Sequence, residues 1–227
     1  MNLVIQICAD PEWTSTKQIL KIQGDKLHRQ PFGEYFEHPI GVYESTFYQS
    51  GPTKTRASGA CQYAIDTWHP DAVINLGTCG GVSNNIRKLD IIMATKTVQY
   101  DVIQRFGKPS LRFKKDLKIN LDTSWIDSTN VSEKLYTGKV ASADQDLNEE
   151  CRKVLQKKSV LAADWESASI AKVCELNKVK CLILRGVTDI PERRPRSKDD
   201  LQDRDYNKNT PIIMKNLLSV ISEMRLR

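Results

Sequence analysis

The sequence predicts an α/β fold: a single domain with a central mixed β-sheet flanked by helices. Three observations lead there. Short apolar runs, NLVIQIC at 2–8, DAVINL at 71–76 and KCLILRGV at 180–187, have the length and continuity of strands covered on both faces. Segments with helical spacing lie between such runs, at 55–68 and 164–176, and this alternation is the mark of an α/β chain. A length of 227 residues suits one large α/β unit with a true core.

Each element follows in order. A strand at 2–8 precedes a short helix at 14–23, and 24–36 reads as polar and irregular. IGVYESTFYQ at 40–49 alternates like a strand. Ser50-Gly51-Pro52 makes a turn into a helix with small residues at Ala57, Gly59, Ala60 and Ala64. His69-Pro70 ends that helix, because proline disfavours helix in the residue before it. The strand 71–76 runs into Gly77-Thr78-Cys79-Gly80-Gly81, and another strand spans 90–100. Residues 105–135 read as a loop or lid, 138–143 as a strand and 147–157 as a helix. The stretch 191–209, dense in proline and charge, reads as a mobile loop before an amphipathic closing helix at 211–226.

Composition excludes several classes. With 40% hydrophobic and 27% charged residues the chain is neither fibrous nor disordered. It contains no run of about eighteen apolar residues, so no membrane span is expected. The N-terminus lacks a basic region followed by a cleavage site, so the expected compartment is the cytosol. The net charge of +6 is spread rather than clustered, which disfavours a nucleic-acid partner. Lys114-Lys115 and Lys157-Lys158 read as solvated surface. The six cysteines form no CxxC and no zinc spacing, so free core thiols are expected and no metal.

Three places can carry chemistry. After the opening strand, Asp10 and Glu12 stand where α/β folds present ligands, and equally where a helix cap would stand. The glycines of 77–81 let a backbone approach a ligand, or make a plain turn, and match neither a P-loop nor GxGxxG. Glu166 starts an apolar helix and Asp189 ends an apolar strand, as caps or as acid–base groups. All three lie at strand ends, which an α/β sheet can bring to one cleft. His28, His38 and His69 form no pattern with a nucleophile.

Taken in order, these motifs resemble the nucleoside phosphorylase and nucleosidase superfamily, most of all the methylthioadenosine/S-adenosylhomocysteine nucleosidases. Asp164-Trp165-Glu166-Ser167-Ala168-Ser169-Ile170-Ala171 is similar to (E/D)-M-E-G-A-A-x-A, and Arg185-Gly186-Val187-Thr188-Asp189 to R-A-(I/V)-(S/T)-D. Asn75–Gly81 resembles N-x-G-(S/T)-(A/C)-G-G, Ser50–Lys54 resembles S-G-I-G-K, and the stretch ending in Glu12 resembles A-M-x-x-E. The resemblance runs from Leu3 to the closing helix. It implies a nucleoside phosphorylase-like fold, a homodimer, a small-molecule nucleoside substrate and no cofactor.

It also implies roles. Asp189 would protonate the leaving purine at N7, Glu12 would activate water, and Arg185 would help hold that water. Glu166 would bind the ribose hydroxyls, with Thr78, Cys79 and Gly80 bordering ribose and water. Such chemistry fits carboxylates, since glycosidic cleavage develops positive charge on the sugar and needs a protonated leaving base. Related phosphorylases carry an arginine for phosphate where Asn75 stands, so water is favoured as the nucleophile. Where the family has S-G-D-x-F, this chain has Ser142-Ala143-Asp144-Gln145-Asp146, followed by Leu147. Asp146 thus replaces the aromatic that stacks on the base, and Trp165 replaces a methionine beside the sugar. The rival readings are a phosphate-dependent phosphorylase and a non-catalytic nucleoside binder. The Arg193–Arg196 run is either a solvated loop or a contact for an anionic substrate tail.

Overall fold

The computed structural model describes residues 1–191 and 201–227, with side chains undescribed at 201–204. The Arg193–Arg196 run lies outside the described residues. Five strands form the frame: β1 (Leu3–Ile7), β4 (Ser45–Gln49), β5 (Ala72–Gly81), β6 (Ile91–Gln99) and β11 (Lys180–Asp189). β2 (His28–Gln30) and β3 (Gly33–Glu37) extend one side, β9 (Leu135–Ser142) and β10 (Val160–Asp164) the other, and β7 (Lys118–Asn120) pairs with β6. The order is β10-β9-β6-β11-β5-β1-β4-β3-β2.

β4, β1, β5 and β11 run parallel, so their carboxyl ends share one edge. β11 and β6 are antiparallel, and β6, β9 and β10 are parallel to one another. β10 then meets β5 antiparallel at Ala162↔Gly81 and Ala163↔Gly80. Strands β5, β11, β6, β9 and β10 therefore close into a ring, and the end of β10 lies against the end of β5.

Apolar alternation along the strands feeds two cores. Leu3, Ile5 and Ile7 face one, with Trp13 of α1 (Asp10–Ile19) and Ile213, Leu217 and Ile221 of α6 (Leu201–Glu223). Val4 and Cys8 face the other, with α2 (Lys54–Trp68) and α5 (Ser167–Asn177). Small residues there (Ala57, Ala60, Cys61, Ala171, Cys174) let the two helices pack closely. Gly186 lets α6 sit on β11, since a Cβ there would meet Ile213 Cγ2 at 2.2 Å.

Several sequence expectations change. The first helix starts at Asp10, not 14, because Glu12 Oε2 accepts the Ala9 N–H and closes its first turn. The stretch read as irregular at 24–36 holds the β2–β3 hairpin. The strand expected over 40–49 begins at Ser45, after a tight turn at Gly41 (φ 58°) bridged by Ile40 and Tyr43. Within the expected 105–135 loop lie β7, α3 (Leu111–Asp116), capped by the Ser110 hydroxyl, and β8 (Ile126–Asp127). Helix α4 (Glu149–Gln156) falls where expected. Residues 160–164, whose last residue was assigned to a helix, form β10. The glycines after Leu76 continue β5 instead of turning.

Helix α6 reaches back to Leu201, with Pro211 inside it, so 201–209 is helical rather than loop. It ends at Glu223, and Arg225–Leu226 form β12 against β8. The bounds of the other expected helices and strands differ by no more than three residues at their ends, the glycine extension of β5 aside. Cys8, Cys61, Cys79, Cys174 and Cys181 are buried free thiols, and Cys151 is half-buried. Among the described residues no helix is long and apolar enough to cross a membrane, and no group of three or more His, Cys, Asp or Glu could hold a metal ion.

Candidate active site

The site lies where the ends of β1, β5, β10 and β11 meet. Glu12, on the first turn of α1, is 4% exposed. Its Oε1 accepts from the Thr78 N–H at 2.6 Å and the Thr78 hydroxyl at 2.7 Å, and its Oε2 from the Ala9 N–H at 3.1 Å. The carboxylate is thus fixed at the bend where β1 passes into α1.

Arg185, in the middle of β11, is 1% exposed. A buried guanidinium persists only if it is paired and its donors are used. Its Nε donates to Asp164 Oδ2 at 2.5 Å, with Ser167 Oγ 3.0 Å away, and its Nη2 donates to Asn75 Oδ1. Nη1 is aimed toward Gly77: a Cβ at that residue would lie 2.2 Å from Nη1, 3.0 Å from Glu12 Oε1 and 3.1 Å from Oε2. Arg185 and Glu12 therefore face each other across a position without a side chain. Burial opposes the charge of Arg185, but Asp164 above all holds it above the usual arginine range.

Asp164 closes β10 and is held on all sides. Its Oδ1 accepts from the Ser142 hydroxyl at 2.5 Å and the Ser167 N–H at 3.2 Å, and its Oδ2 from the Ser167 hydroxyl as well as Arg185. Asp164 is thus the residue that caps α5. Glu166 sits at the cap position without using its side chain there; its Oε1 accepts from the Thr53 N–H at 3.2 Å. Burial first, and the charge of Asp164 second, push the Glu166 carboxyl up to about 8.

Asp189 ends β11 past a register shift between Val187 and Asp189, the kind of bulge that re-aims a side chain. Thr188 Oγ1 donates to Asp189 Oδ1 at 2.7 Å, and Asn209 of α6 donates to the Thr188 carbonyl at 2.7 Å. A Cβ on Gly80 would lie 3.0 Å from Leu147 Cδ2 and 3.8 Å from Asp189 Oδ2, so Gly80, Leu147 and Asp189 border one space. Cys79 is buried beside them, its thiol pushed up by burial and by the charge of Asp164.

Glu12, Thr78, Arg185 and Glu166 are brought together, and Asp189, Gly80 and Leu147 form the adjoining wall. Asp146 is exposed, and Trp165 is half-buried beside Glu166 in the chain. Asp10, weighed as a cap or a ligand group, instead accepts from Gln49 Nε2 at 2.6 Å. Sequence reasoning assigned no role to Asp164 and Ser142, and missed Tyr206. Burial, then Glu12 and Glu166, hold the Tyr206 phenol above the ordinary tyrosine range, which places it at the Glu12–Thr78 side of the site. Its signal was hidden in a stretch that reads as charged loop.

The sequence profile of the phosphorylase superfamily matches residues 5–224. The chain belongs to the phosphorylase superfamily. Among superfamily members it is similar to the 5′-methylthioadenosine/S-adenosylhomocysteine nucleosidase of Buchnera aphidicola (subsp. Acyrthosiphon pisum, strain Tuc7), 28% identical over 80% of this chain and 85% of that one. It is 29% identical to the Tolumonas auensis nucleosidase of the same name over 79% of each chain. An aminodeoxyfutalosine nucleosidase of Campylobacter jejuni is 28% identical over 70% of this chain and 71% of that one. The superfamily fold is seen again in the crystal structure of a Helicobacter pylori 5′-methylthioadenosine/S-adenosylhomocysteine nucleosidase, with TM-score 0.80, 19% identity and 98% of both chains covered.

Proposed function

We propose that this protein hydrolyses the N-glycosidic bond of purine nucleosides, with 5′-methylthioadenosine and S-adenosylhomocysteine as first substrates. The observation that carries the reading is the opposition of Glu12 and Arg185 Nη1 across Gly77, with Glu166 just past the end of β10 and Asp189 at the end of β11. The named nucleosidases to which the chain is similar support it.

In this reading water sits between Glu12 and Arg185. Glu12 takes its proton as the oxygen bonds to the anomeric carbon, while the carboxylate offsets the positive charge growing on the sugar. Asp189 delivers a proton to the purine as the glycosidic bond breaks, so free base and free sugar leave. Glu166, held as a carboxylic acid, offers the ribose hydroxyls both a donor and an acceptor. Leu147 and Gly80 border the base.

Phosphate makes a poor nucleophile here. Asn75 stands where phosphorylases carry a guanidinium, and it is tied to Arg185. Lys54 is held by Asp101 at 2.5 Å and Arg56 by the carbonyls of Ser50 and Phe32. The charges of Asp164 and Glu12 around Arg185 repel a dianion.

We take residues 1–227 as one such unit, acting as a homodimer in the cytosol. The exposed Ile103, Phe106 and Leu111 offer apolar surface for a second copy, and buried free thiols suit a reducing compartment. The test is a product assay on a panel of purine nucleosides that includes methylthioadenosine, S-adenosylhomocysteine and aminodeoxyfutalosine. Free base with reducing sugar, released without phosphate, is the expected result. Turnover that requires phosphate would overturn it.

A further inference from the structure

Arg185 has a fixed orientation, and the groups that fix it lie behind the reacting centre. Its Nε faces Asp164 and Ser167, its Nη2 faces Asn75, and only the Nη1 edge turns toward Gly77 and Glu12. Asp164 is in turn gripped by Ser142 from β9 and by the N–H and hydroxyl of Ser167 at the start of α5. The Ser142 hydroxyl also accepts the Ala168 N–H at 2.9 Å. Three elements thus converge on one carboxylate that is ion-paired with Arg185, in a pair whose side chains are 1% and 2% exposed.

We propose that Asp164 is the positioning residue of this site: through Nε it locks the Arg185 guanidinium so that Nη1 alone is presented to the water that Glu12 activates. A guanidinium can rotate about its last torsions, and each rotation would exchange the nitrogen facing Glu12. Pairing Nε with a carboxylate, while Nη2 is held by Asn75, removes that freedom. The water then has one donor at one place, and the orientation cost is met when the chain folds rather than at each turnover. Ser167 and Ser142 keep the Asp164 oxygens from turning away.

This inference rests on the nucleosidase reading, and its test separates the two. Wild type and Asp164→Asn are compared in the base-release assay and by ¹⁵N-arginine NMR of the Arg185 Nε–H. Asp164→Asn is expected to melt cooperatively, to lower kcat on the order of 100-fold with KM within about threefold, and to lose the protection of the Nε–H against exchange with water. A kcat within about threefold of wild type, a loss confined to KM, or an Nε–H that stays protected would each overturn the proposal. If Asp164→Asn does not fold, Ser167→Ala decides: kcat should fall about tenfold at unchanged KM, and an unchanged kcat overturns the proposal. If wild type releases no base from any nucleoside, the functional reading falls, and the Nε–H comparison alone decides whether Asp164 locks Arg185.

Discussion

Arg185 Nη1 occupies space that a side chain on Gly77 would need: a Cβ there would come within 2.2 Å of it. The residue type at 77 is therefore set by the approach of the guanidinium to Glu12. Gly77→Ala should displace Arg185 or Glu12, lower kcat by about 100-fold and destabilise the fold by about 1–3 kcal/mol through overpacking. Steady-state kinetics and thermal melting check it. Near-wild-type turnover would mean that the two groups need not face each other.

How much of this was legible in the sequence follows from what each residue must do. Glu12 and Asp189 stand out at strand ends, whereas Arg185 is reached only through the resemblance to the nucleosidases, because its burial and its partners are not visible in the sequence. The β2–β3 hairpin did not stand out, because its residues are polar and mostly half-buried or exposed. β10 reads VLAAD, and alanines carry no strand signal. The glycines of β5 look like a turn, yet pairing with β11 and β10 keeps them in the strand, and Arg185, Leu147 and Ile190 fill the space their side chains would take. The role of Asp164 depends on contacts from β9, β11 and α5 at once, which no local pattern contains. Tyr206 was hidden because α6 begins inside a charged stretch, ahead of its internal Pro211.

Glu12→Gln should cost more than a proton acceptor. The carboxylate takes two donors at Oε1 and one at Oε2, whereas the amide turns one of those oxygens into a donor facing an N–H. Turnover should fall by about 10²–10⁴ while an unreacted nucleoside still binds within a few-fold. Base release and binding calorimetry on the same preparation check both halves, and retained turnover would move the base elsewhere.

Glu166 should make stability depend on pH. Burial and the charge of Asp164 raise its carboxyl to about 8 in the folded chain, from the ordinary 4.5. Between those values the folded state holds a proton that the unfolded state has released. Stability from this group is therefore complete below about pH 4.5 and is lost as pH rises through about 8. Glu166→Gln keeps an acceptor for the Thr53 N–H and cannot ionise. The melting temperature of wild type minus that of Glu166→Gln should fall steadily between pH 5 and 8. A constant difference would show that Glu166 is not held protonated.

The resemblance to the nucleosidases implies that Asp146 replaces an aromatic stacked on the base, and Asp146 is exposed. Asp146→Phe should raise kcat/KM for adenine nucleosides by roughly three- to tenfold, the worth of one aromatic contact of about 0.5–1.5 kcal/mol. Competition between adenine and hypoxanthine nucleosides measures it. An unchanged base profile would show that position 146 does not face the base.

Asp189 offers the sharpest separation of chemistry from binding. Thr188 donates to Asp189 Oδ1, and Oδ2 lies on the side of Gly80, so one oxygen is oriented from within the strand and the other borders the Leu147 wall. Asp189→Asn keeps that volume and removes the acid. On purine nucleosides kcat should fall by about 10²–10⁴ with KM nearly unchanged, because the leaving base departs poorly without protonation. On p-nitrophenyl riboside, whose leaving group is stable as an anion, the same variant should lose less than about tenfold, since Glu12 and Arg185 still act on the water. Equal losses on both substrates would place Asp189 in binding or folding rather than in proton transfer. A variant as active as wild type on purines would remove it from the reaction.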